Sequence, residues 1–380
     1  MYLSGLQIHS FRNIQPTRLE FSPYRNYLFG DNAQGKTNLI EAIYLLCLAK
    51  SFRTNDDSAL IPFQEKMCLI EGAFESIEKI HRHVGIMYDE ANGKQIKVDG
   101  KKLHQYSKLV GLFPIIILSA NDHEITAGPP AQRRRFFNIL LSQSSSRYLD
   151  DLKHYEKILK QRNKVLAGLV TGDRNLQDQL EVWDVQLVAV GARIIAARAA
   201  IVADLNPFLN EYYARISSKK WSLRAEYRPN ISSRAAGDIE TSFAQQLKST
   251  ATRERIQRKT LVGPHRDDFV FYISDYELRR FGSRGEHKSA LVSLKAAEAH
   301  VLQQRTDMPP ILLLDDLFAE LDRERSHNVL QLFNPDCQIF VTGTSLDWAG
   351  MKSTDGLNGE QSIFNVHSGT IDRAENGQKT

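Results

Sequence analysis

Apolar and polar positions alternate through the first thirty residues, with Leu3, Leu6 and Ile8, then Leu19 and Phe21, then Tyr27, Leu28 and Phe29 on the apolar side. A period near two is that of half-buried strands. The last of these runs straight into Gly30, and from Thr37 the run NLIEAIYLLCLAK has helical spacing and good helix formers. The opening therefore predicts strand, glycine-containing loop, helix. Residues 68–100 read as further strands, with NGK at 92–94 and DGK at 99–101 as hairpin turns, so the sheet has an antiparallel part. FPIIILS at 113–119 is uninterruptedly apolar, as expected of a strand covered on both faces in the same core.

After Pro129 and Pro130 the pattern changes to long helices through about residue 215, which predicts a second, mostly helical lobe. Its longest helix, VQLVAVGARIIAARAAIVADL, keeps an apolar stripe through Leu187, Val190, Ile194, Ile201 and Leu205. Arg193 and Arg198 interrupt that stripe, so packing within a soluble protein is expected rather than a membrane span. Strand patterning returns at 221–227 and 269–276, followed by a helix over 289–305. PPILLLDD and CQIFVTGT are apolar runs of the kind parallel central strands show. The tail DRAENGQKT is polar and expected to fray.

Composition adds little to this picture. The 380 residues carry a formal net charge of +4, which permits a polyanionic partner without demanding one. Cys47, Cys68 and Cys337 are far apart and lack metal-ligand spacing, which argues against a disulfide framework or a zinc site. The start MYLSGLQIHSFRN is not a secretory leader, and no run of about 18 apolar residues occurs. A cytoplasmic protein without a membrane segment is expected.

The candidate chemistry begins in the first loop. Gly30, Gly35, Lys36 and Thr37 fit GxxxxGK[ST], in which glycines let successive backbone N–H groups wrap a phosphate at a helix N-terminus. Asp31, Asn32, Ala33, Gln34 and Asn38 complete the candidate nucleotide-binding stretch. Lys36 is expected to reach the β and γ phosphates and Thr37 to hold Mg2+. Such a loop needs an acid at the end of a neighbouring strand, and ILLLDD offers Asp315 for the metal and Asp316 for orienting the attacking water. Ser283 and Gly285 precede a strong helix and make a second anion-binding helix N-terminus. The plainer alternatives are a glycine-rich surface turn for the first feature and an ordinary serine-capped helix for the second.

The ordered set GDNAQGKT, SRGEHK, ILLLDD and AELD resembles the head of ABC-type ATPases of the SMC kind, and most closely the bacterial RecF family. Further matches are LSGLQIHSFRNIQPTRLEF, KSFRT, GPPAQRRRFFN, YEKILKQRN and GPHRDD. The resemblance implies an α/β, P-loop ABC-type ATPase head with a mixed sheet and an inserted, mostly α-helical lobe. Its parts would be residues 1–125 and 251–380 as the two halves of the ATPase lobe, and 126–250 as the helical lobe. It implies ATP and Mg2+ as cofactors and an ATP-dependent homodimer in which Ser283 and Gly285 contact the γ-phosphate in trans, with residues 319–322 as the D-loop. It further implies binding of duplex DNA beside single-stranded gaps, in recombinational repair, replication-fork maintenance and the SOS response. RecR, RecO and RecA-type recombinase would be partners, and slow DNA-stimulated hydrolysis would drive release.

Several residues depart from that pattern. Glu286 and His287 stand where RecF-like chains often carry glutamines, adding a charge beside the signature serine. Asp316 replaces the glutamate usual in ABC enzymes, and Thr342 falls near where many keep a switch histidine, so slow turnover is expected. ILSANDHE lacks a Q-loop glutamine, leaving Asn121 and Asp122 as stand-ins. Arg53 resembles an arginine near nucleotide and DNA. Three basic clusters could track phosphates or form solvated faces: Arg133 to Arg135; Lys219, Lys220 and Arg224; and Arg253, Arg255, Arg258 and Lys259. Phe136 and Phe137 read as helix anchors. GPHRDD reads as a turn whose acids pair with Arg266 or its neighbours, and His265 has no second ligand at useful spacing. Two rival functions stay open, an ATP-held structural DNA clamp in which hydrolysis is dispensable and a small-molecule P-loop kinase.

Overall fold

The computed structural model describes residues 1–76, 78, 80–168, 174–217, 221–231, 239–316, 328–344 and 361–374. In chain order the strands and helices are β1 (Tyr2–Ser10), β2 (Thr17–Glu20), β3 (Arg25–Phe29), α1 (Lys36–Leu48), β4 (Met67–Glu75), β5 (His81–Asp89), β6 (Gly93–Val98), β7 (Lys101–Lys102) and β8 (Ile115–Leu118). Then come α2 (His123–Ala127), α3 (Pro130–Ser144), α4 (Ser146–Gly168), α5 (Arg174–Ile216), β9 (Leu223–Arg228), α6 (Ile239–Gln257), β10 (Asp268–Ile273), β11 (Tyr276–Glu277) and α7 (Leu278–Phe281). The last are α8 (Arg284–Thr306), β12 (Ile311–Leu314), β13 (Ile339–Gly343), β14 (Gln361–His367) and β15 (Thr370–Arg373). The chain divides into two units, residues 1–122 with 292–380, and residues 123–291.

The first unit holds two sheets. One is antiparallel, in the order β2-β1-β4-β5-β6-β7, and contains both expected hairpins. The other has the order β15-β14-β3-β13-β12-β8, with β14, β3, β13, β12 and β8 parallel and β15 antiparallel at its edge. β8 and β12 are buried at every residue, which is why their sequences are uninterruptedly apolar. Helix α1 touches strands of both sheets and is buried on nearly all sides, and from Leu39 onward its sequence is apolar all round apart from Glu41. Against β4 the fit is close: a Cβ on Gly72 would lie 2.8 Å from Leu46 Cδ1. Parallel pairing brings the carboxyl ends of β3, β12 and β13 together, where α/β sheets bind ligands. The tail is not wholly frayed, since Asp372 and Arg373 lie in β15; residues 375–380 fall outside the described set.

The second unit packs α3, α4, α5 and α6 with a three-stranded sheet in the order β11-β10-β9. It extends past residue 250 because β10 pairs with all six residues of β9, and Phe269 stacks on Phe137 of α3 at 3.9 Å. The segment carrying Ser283 therefore belongs with the helical unit. Residues 175–216 are long and apolar enough to cross a membrane by length and composition. Here they form a core helix: Leu187, Val190, Ile194, Ile201 and Leu205 are all buried, and α4, α6 and β9 pack against it.

Arg198 on that helix is 2% exposed rather than a solvated interruption. Its guanidinium donates to Asp267 Oδ2 at 2.8 Å, Pro264 O at 2.6 Å and Asn138 Oδ1 at 3.0 Å. Tyr227 Oη donates to the same Asp267 carboxylate. Asp268 accepts from Arg133 at 2.8 and 3.0 Å. The acids of GPHRDD thus pair with arginines of α5 and α3, not with Arg266, which is exposed. His265 completes the segment, with Nδ1 at 2.8 Å from Tyr155 Oη, and burial pushes its pKa down to about 4.

Candidate nucleotide site and signature helix

The loop between β3 and α1 turns on three positive-φ residues, Gly30 at 149° and Gly35 at 121°, where glycine is suited, and Ala33 at 65°. A Cβ on Gly30 would sit 2.1 Å from the Val366 carbonyl oxygen, so glycine is required by space as well as by backbone. The Lys36 ammonium donates to the carbonyls of Gly30 at 2.6 Å and Asp31 at 2.8 Å. Gln34 anchors the loop to the β14–β15 turn, accepting from Gly369 N through its backbone oxygen at 2.9 Å and from Ser368 N through Oε1 at 2.6 Å. Asn38 Nδ2 donates to Asn13 Oδ1 at 2.6 Å. The roles of Ser368 and Gly369 had no signal in the sequence, since the turn lies more than 300 residues from Gln34, and that of Asn13, 25 residues from Asn38, had none either.

Three side chains converge at the ends of β12 and β13. Thr37 Oγ1 donates to Asp315 Oδ1 at 3.1 Å, and Thr342 Oγ1 lies 2.9 Å from the same oxygen. Asp316 N donates to Thr342 Oγ1 at 2.8 Å, so one threonine ties both acids to the neighbouring strand. Asp315 is 7% exposed, and burial pushes its pKa up against the lowering effect of the two hydroxyls. A buried carboxylate beside a hydroxyl suits a divalent cation, whose charge favours the ionised form. No group of three or more His, Cys, Asp or Glu side chains assembles for a metal among the described residues. A cation at Thr37 and Asp315 would therefore draw its other ligands from phosphate oxygens and water, as Mg2+ commonly does. Asp316 has φ 52°, a conformation in which Asp is several-fold enriched. That backbone is a physical reason for aspartate rather than glutamate here.

A buried carboxylate supports the first turn of α1. Glu41, fully buried, accepts from Arg12 at 2.8 and 3.0 Å, Ser51 Oγ at 2.5 Å and Arg53 Nη1 at 3.2 Å. Arg53 Nη1 also donates to Asn38 Oδ1 at 2.6 Å and contributes to the field lowering the Asp315 pKa. Arg53 thus lies at the candidate nucleotide site. A lone glutamate within an apolar helix was the available signal for Glu41 and its arginines. Asp122 is occupied by its own turn, accepting from Ser119 N at 2.6 Å, and Asn121 is exposed.

Ser283 and Gly285 lie in the other unit, at the start of α8. Ser283 and Glu286 form a capping box: Ser283 N and Oγ donate to Glu286 Oε2 at 2.8 and 2.9 Å, and Glu286 N donates to Ser283 Oγ at 3.3 Å. Glu286 Oε1 accepts from Tyr276 Oη at 3.0 Å, so this carboxylate is part of the helix start rather than a loose charge beside it. His287 Nδ1 lies 2.9 Å from Thr126 Oγ1, and its pKa is lowered by burial and by His123. Ser283, Arg284 and Gly285 are exposed, and nothing lies within 4 Å of a Cβ placed on Gly285. The D-loop positions 319–322 lie outside the described residues, as do Lys219 and Lys220.

The basic clusters divide by burial. Arg133 is 3% exposed, and Arg134 donates to the Asp267 carbonyl at 2.8 Å, so both hold the unit together; Arg135 is exposed. Phe136 and Phe137 are buried anchors. Arg224 pairs with Glu226 at 3.2 Å and lies over the Tyr272 ring. Arg253, Arg255, Arg258 and Lys259 are exposed at the end of α6.

A family model described as the RecF/RecN/SMC N terminal domain matches residues 2–361. The DNA replication and repair protein RecF of Streptococcus equi subsp. equi is 38% identical over 374 residues, covering 98% of each chain. The chain belongs to the RecF family. RecF of Limosilactobacillus reuteri is 36% identical over 379 residues, 99% of this chain and all of that one. The solved structure of a recombination mediator RecF–ATP complex of the RecFOR pathway superimposes with a TM-score of 0.89 at 31% identity, covering 98% of both chains. A Pyrococcus furiosus Smc head domain with an extended coiled coil gives 0.57 at 13% identity over 98% of this chain and 96% of that one, a likeness of fold alone. As in the RecF family, the fold is an ABC-type ATPase head with mixed sheets and a long helical insertion.

Proposed function

We propose that this protein is an ATP-dependent DNA-binding protein of recombinational repair and replication-fork maintenance, whose nucleotide-driven homodimer acts on duplex DNA beside single-stranded gaps. The observation that carries the reading is the Thr37–Asp315 hydrogen bond of 3.1 Å beside a P-loop, in a chain that also exposes Ser283 and Gly285 at a helix N-terminus. Backbone amides of residues 31–35 and the N-terminus of α1 would receive the phosphates of ATP, with Lys36 as their counter-charge. Thr37 and Asp315 would hold Mg2+, which when bound neutralises charge on the terminal phosphates. Asp316, fixed through its N–H by Thr342, would orient the attacking water. Ser283 and Gly285 of one protomer would contact the γ-phosphate on the P-loop of its partner, so nucleotide stabilises the dimer by mass action. Slow, DNA-stimulated hydrolysis would release it. RecR, RecO and a RecA-type recombinase are the proposed protein partners, and the cytoplasm the proposed location.

Light scattering tests this reading. Mass should double with Mg2+ and ATP in the unmodified protein and stay monomeric in Ser283→Arg. A monomer in both would sink the shared-nucleotide mechanism. An ATP-held clamp that does not need hydrolysis is the second reading, motivated by the departures Asp316 and Thr342 at the positions proposed for catalysis. It predicts that Asp316→Asn leaves release from DNA unchanged, whereas the first reading predicts release at least about tenfold slower.

A further inference from the structure

The motif YEKILKQRN lies on α4 and plays no part in the nucleotide site. Its inner face is a packed network. Arg162, 1% exposed, donates to Asp184 at 2.5 Å, Glu254 at 2.7 Å and Thr260 Oγ1 at 2.8 Å, and Asn163 Oδ1 accepts from Thr260 N at 2.7 Å. Its outer face carries Lys153, Lys157, Lys160 and Lys164, all exposed. Steps of four, three and four residues keep these lysines within about 60° of one another around the helix, opposite the buried Tyr155, Ile158, Arg162 and Leu166.

We propose that this lysine stripe is the surface along which the protein tracks the phosphodiester backbone of duplex nucleic acid. None of the four lysines forms an ion pair among the described residues, although Asp150 and Glu156 flank them. Solvated helix faces usually intersperse opposite charges, and like charges at i,i+4 destabilise a helix. A row of four cations that form no direct ion pair among the described residues is relieved by a polyanion lying along it. The stripe is about 16 Å long. Single strands are held by stacking on exposed rings. Both tyrosines of α4, Tyr148 and Tyr155, are buried, which favours duplex.

The exposed basic group on and beyond α6 is less suited. Lys248, Arg253 and Arg255 on α6, with Arg258 and Lys259 beyond it, are also exposed. Arg253 and Arg255 flank the buried Glu254 on opposite sides, and the strongly exposed Ile256 stands between them. Cations at that end also offset the helix dipole, which is a structural role.

This inference rests on the DNA reading above, and the experiment separates the two. Full-length protein with Mg2+ and ATP is titrated against a labelled duplex, a single strand of equal length and poly-glutamate across a salt series. A Lys153→Gln, Lys157→Gln, Lys160→Gln, Lys164→Gln variant is compared with one in which the five α6-region cations become Gln. Glutamine keeps nearly the helix propensity of lysine, and circular dichroism checks folding. The α4 variant should flatten the slope of log affinity against log salt for duplex by about 3.6, at about 0.9 per lost phosphate contact, while its ATP-dependent mass stays unchanged. A slope unchanged within about one unit, an equal loss toward poly-glutamate, or a larger loss in the α6 variant overturns the stripe. Failure of the unmodified protein to bind any duplex would overturn the DNA reading itself.

Discussion

At the scale of single residues, two glycines with similar motif status do different work. Gly30 holds a backbone that a side chain would push into the Val366 carbonyl, so Gly30→Ala should cost about 2 kcal/mol or more of unfolding free energy. Gly285 faces open space, so Gly285→Ala should leave the unfolding free energy from urea titration within about 0.5 kcal/mol of the unmodified protein and lose the ATP-dependent doubling of mass. Asp316 makes a similar point about chemistry under backbone constraint. Its φ of 52° is less suited to glutamate, so Asp316→Glu should lower stability by about 1 kcal/mol without faster ATP turnover. A rise in turnover would show that carboxylate reach, rather than backbone geometry, limits hydrolysis.

At the scale of elements, α3 and α5 are joined by ion pairs to Asp268 and Asp267 at the start of β10, and α4 is joined to the segment before them by hydrogen bonds of Tyr155 and Asn163. Arg198 and Asp267 are both essentially inaccessible, and Arg198→Leu would leave that carboxylate unpaired at a cost of about 3–5 kcal/mol by denaturant unfolding. Arg193, which pairs with Asp151 at the surface of the same helix, should cost less than about 1 kcal/mol when changed to Ala. His265 makes the unit acid-sensitive. Its folded pKa of about 4 lies below the ordinary 6.5, so between those values the unfolded chain binds a proton that the folded chain does not. Stability should therefore fall as pH drops from 6.5 toward 4, and His265→Gln should show a smaller loss of urea midpoint over that window.

At the scale of the whole molecule, the chain crosses from one unit to the other and back. The second unit is closed by β10, beyond residue 250, so a 126–250 fragment would carry β9 without its partner strand and Arg133 and Arg198 without Asp268 and Asp267. Such a fragment should lack a cooperative thermal transition, whereas 123–291 should show one by circular dichroism. A cooperative 126–250 would mean that the helices alone make a sufficient core.

The strands, the glycine loop, α1, the helical stretch and the pair Asp315–Asp316 were legible because each is written in local pattern: period two, period 3.6, and glycines where φ must be positive. The ordered motifs pointed to the RecF family for the same reason. What charged residues do was not legible. Arg133 and Arg134 looked like Arg253 and Arg255 in sequence, yet Arg133 is desolvated against Asp268, 135 residues away, and Arg253 is exposed. The β14–β15 turn at Gln34 and the membership of Ser283 in the helical unit also depend on long-range pairing. Sequence by itself determined the elements and the glycine loop that is the candidate phosphate-binding site, since these follow from backbone geometry over a few residues. Tertiary structure decided which charges are structural and which face solvent, since desolvation depends on neighbours that the chain brings in from far away.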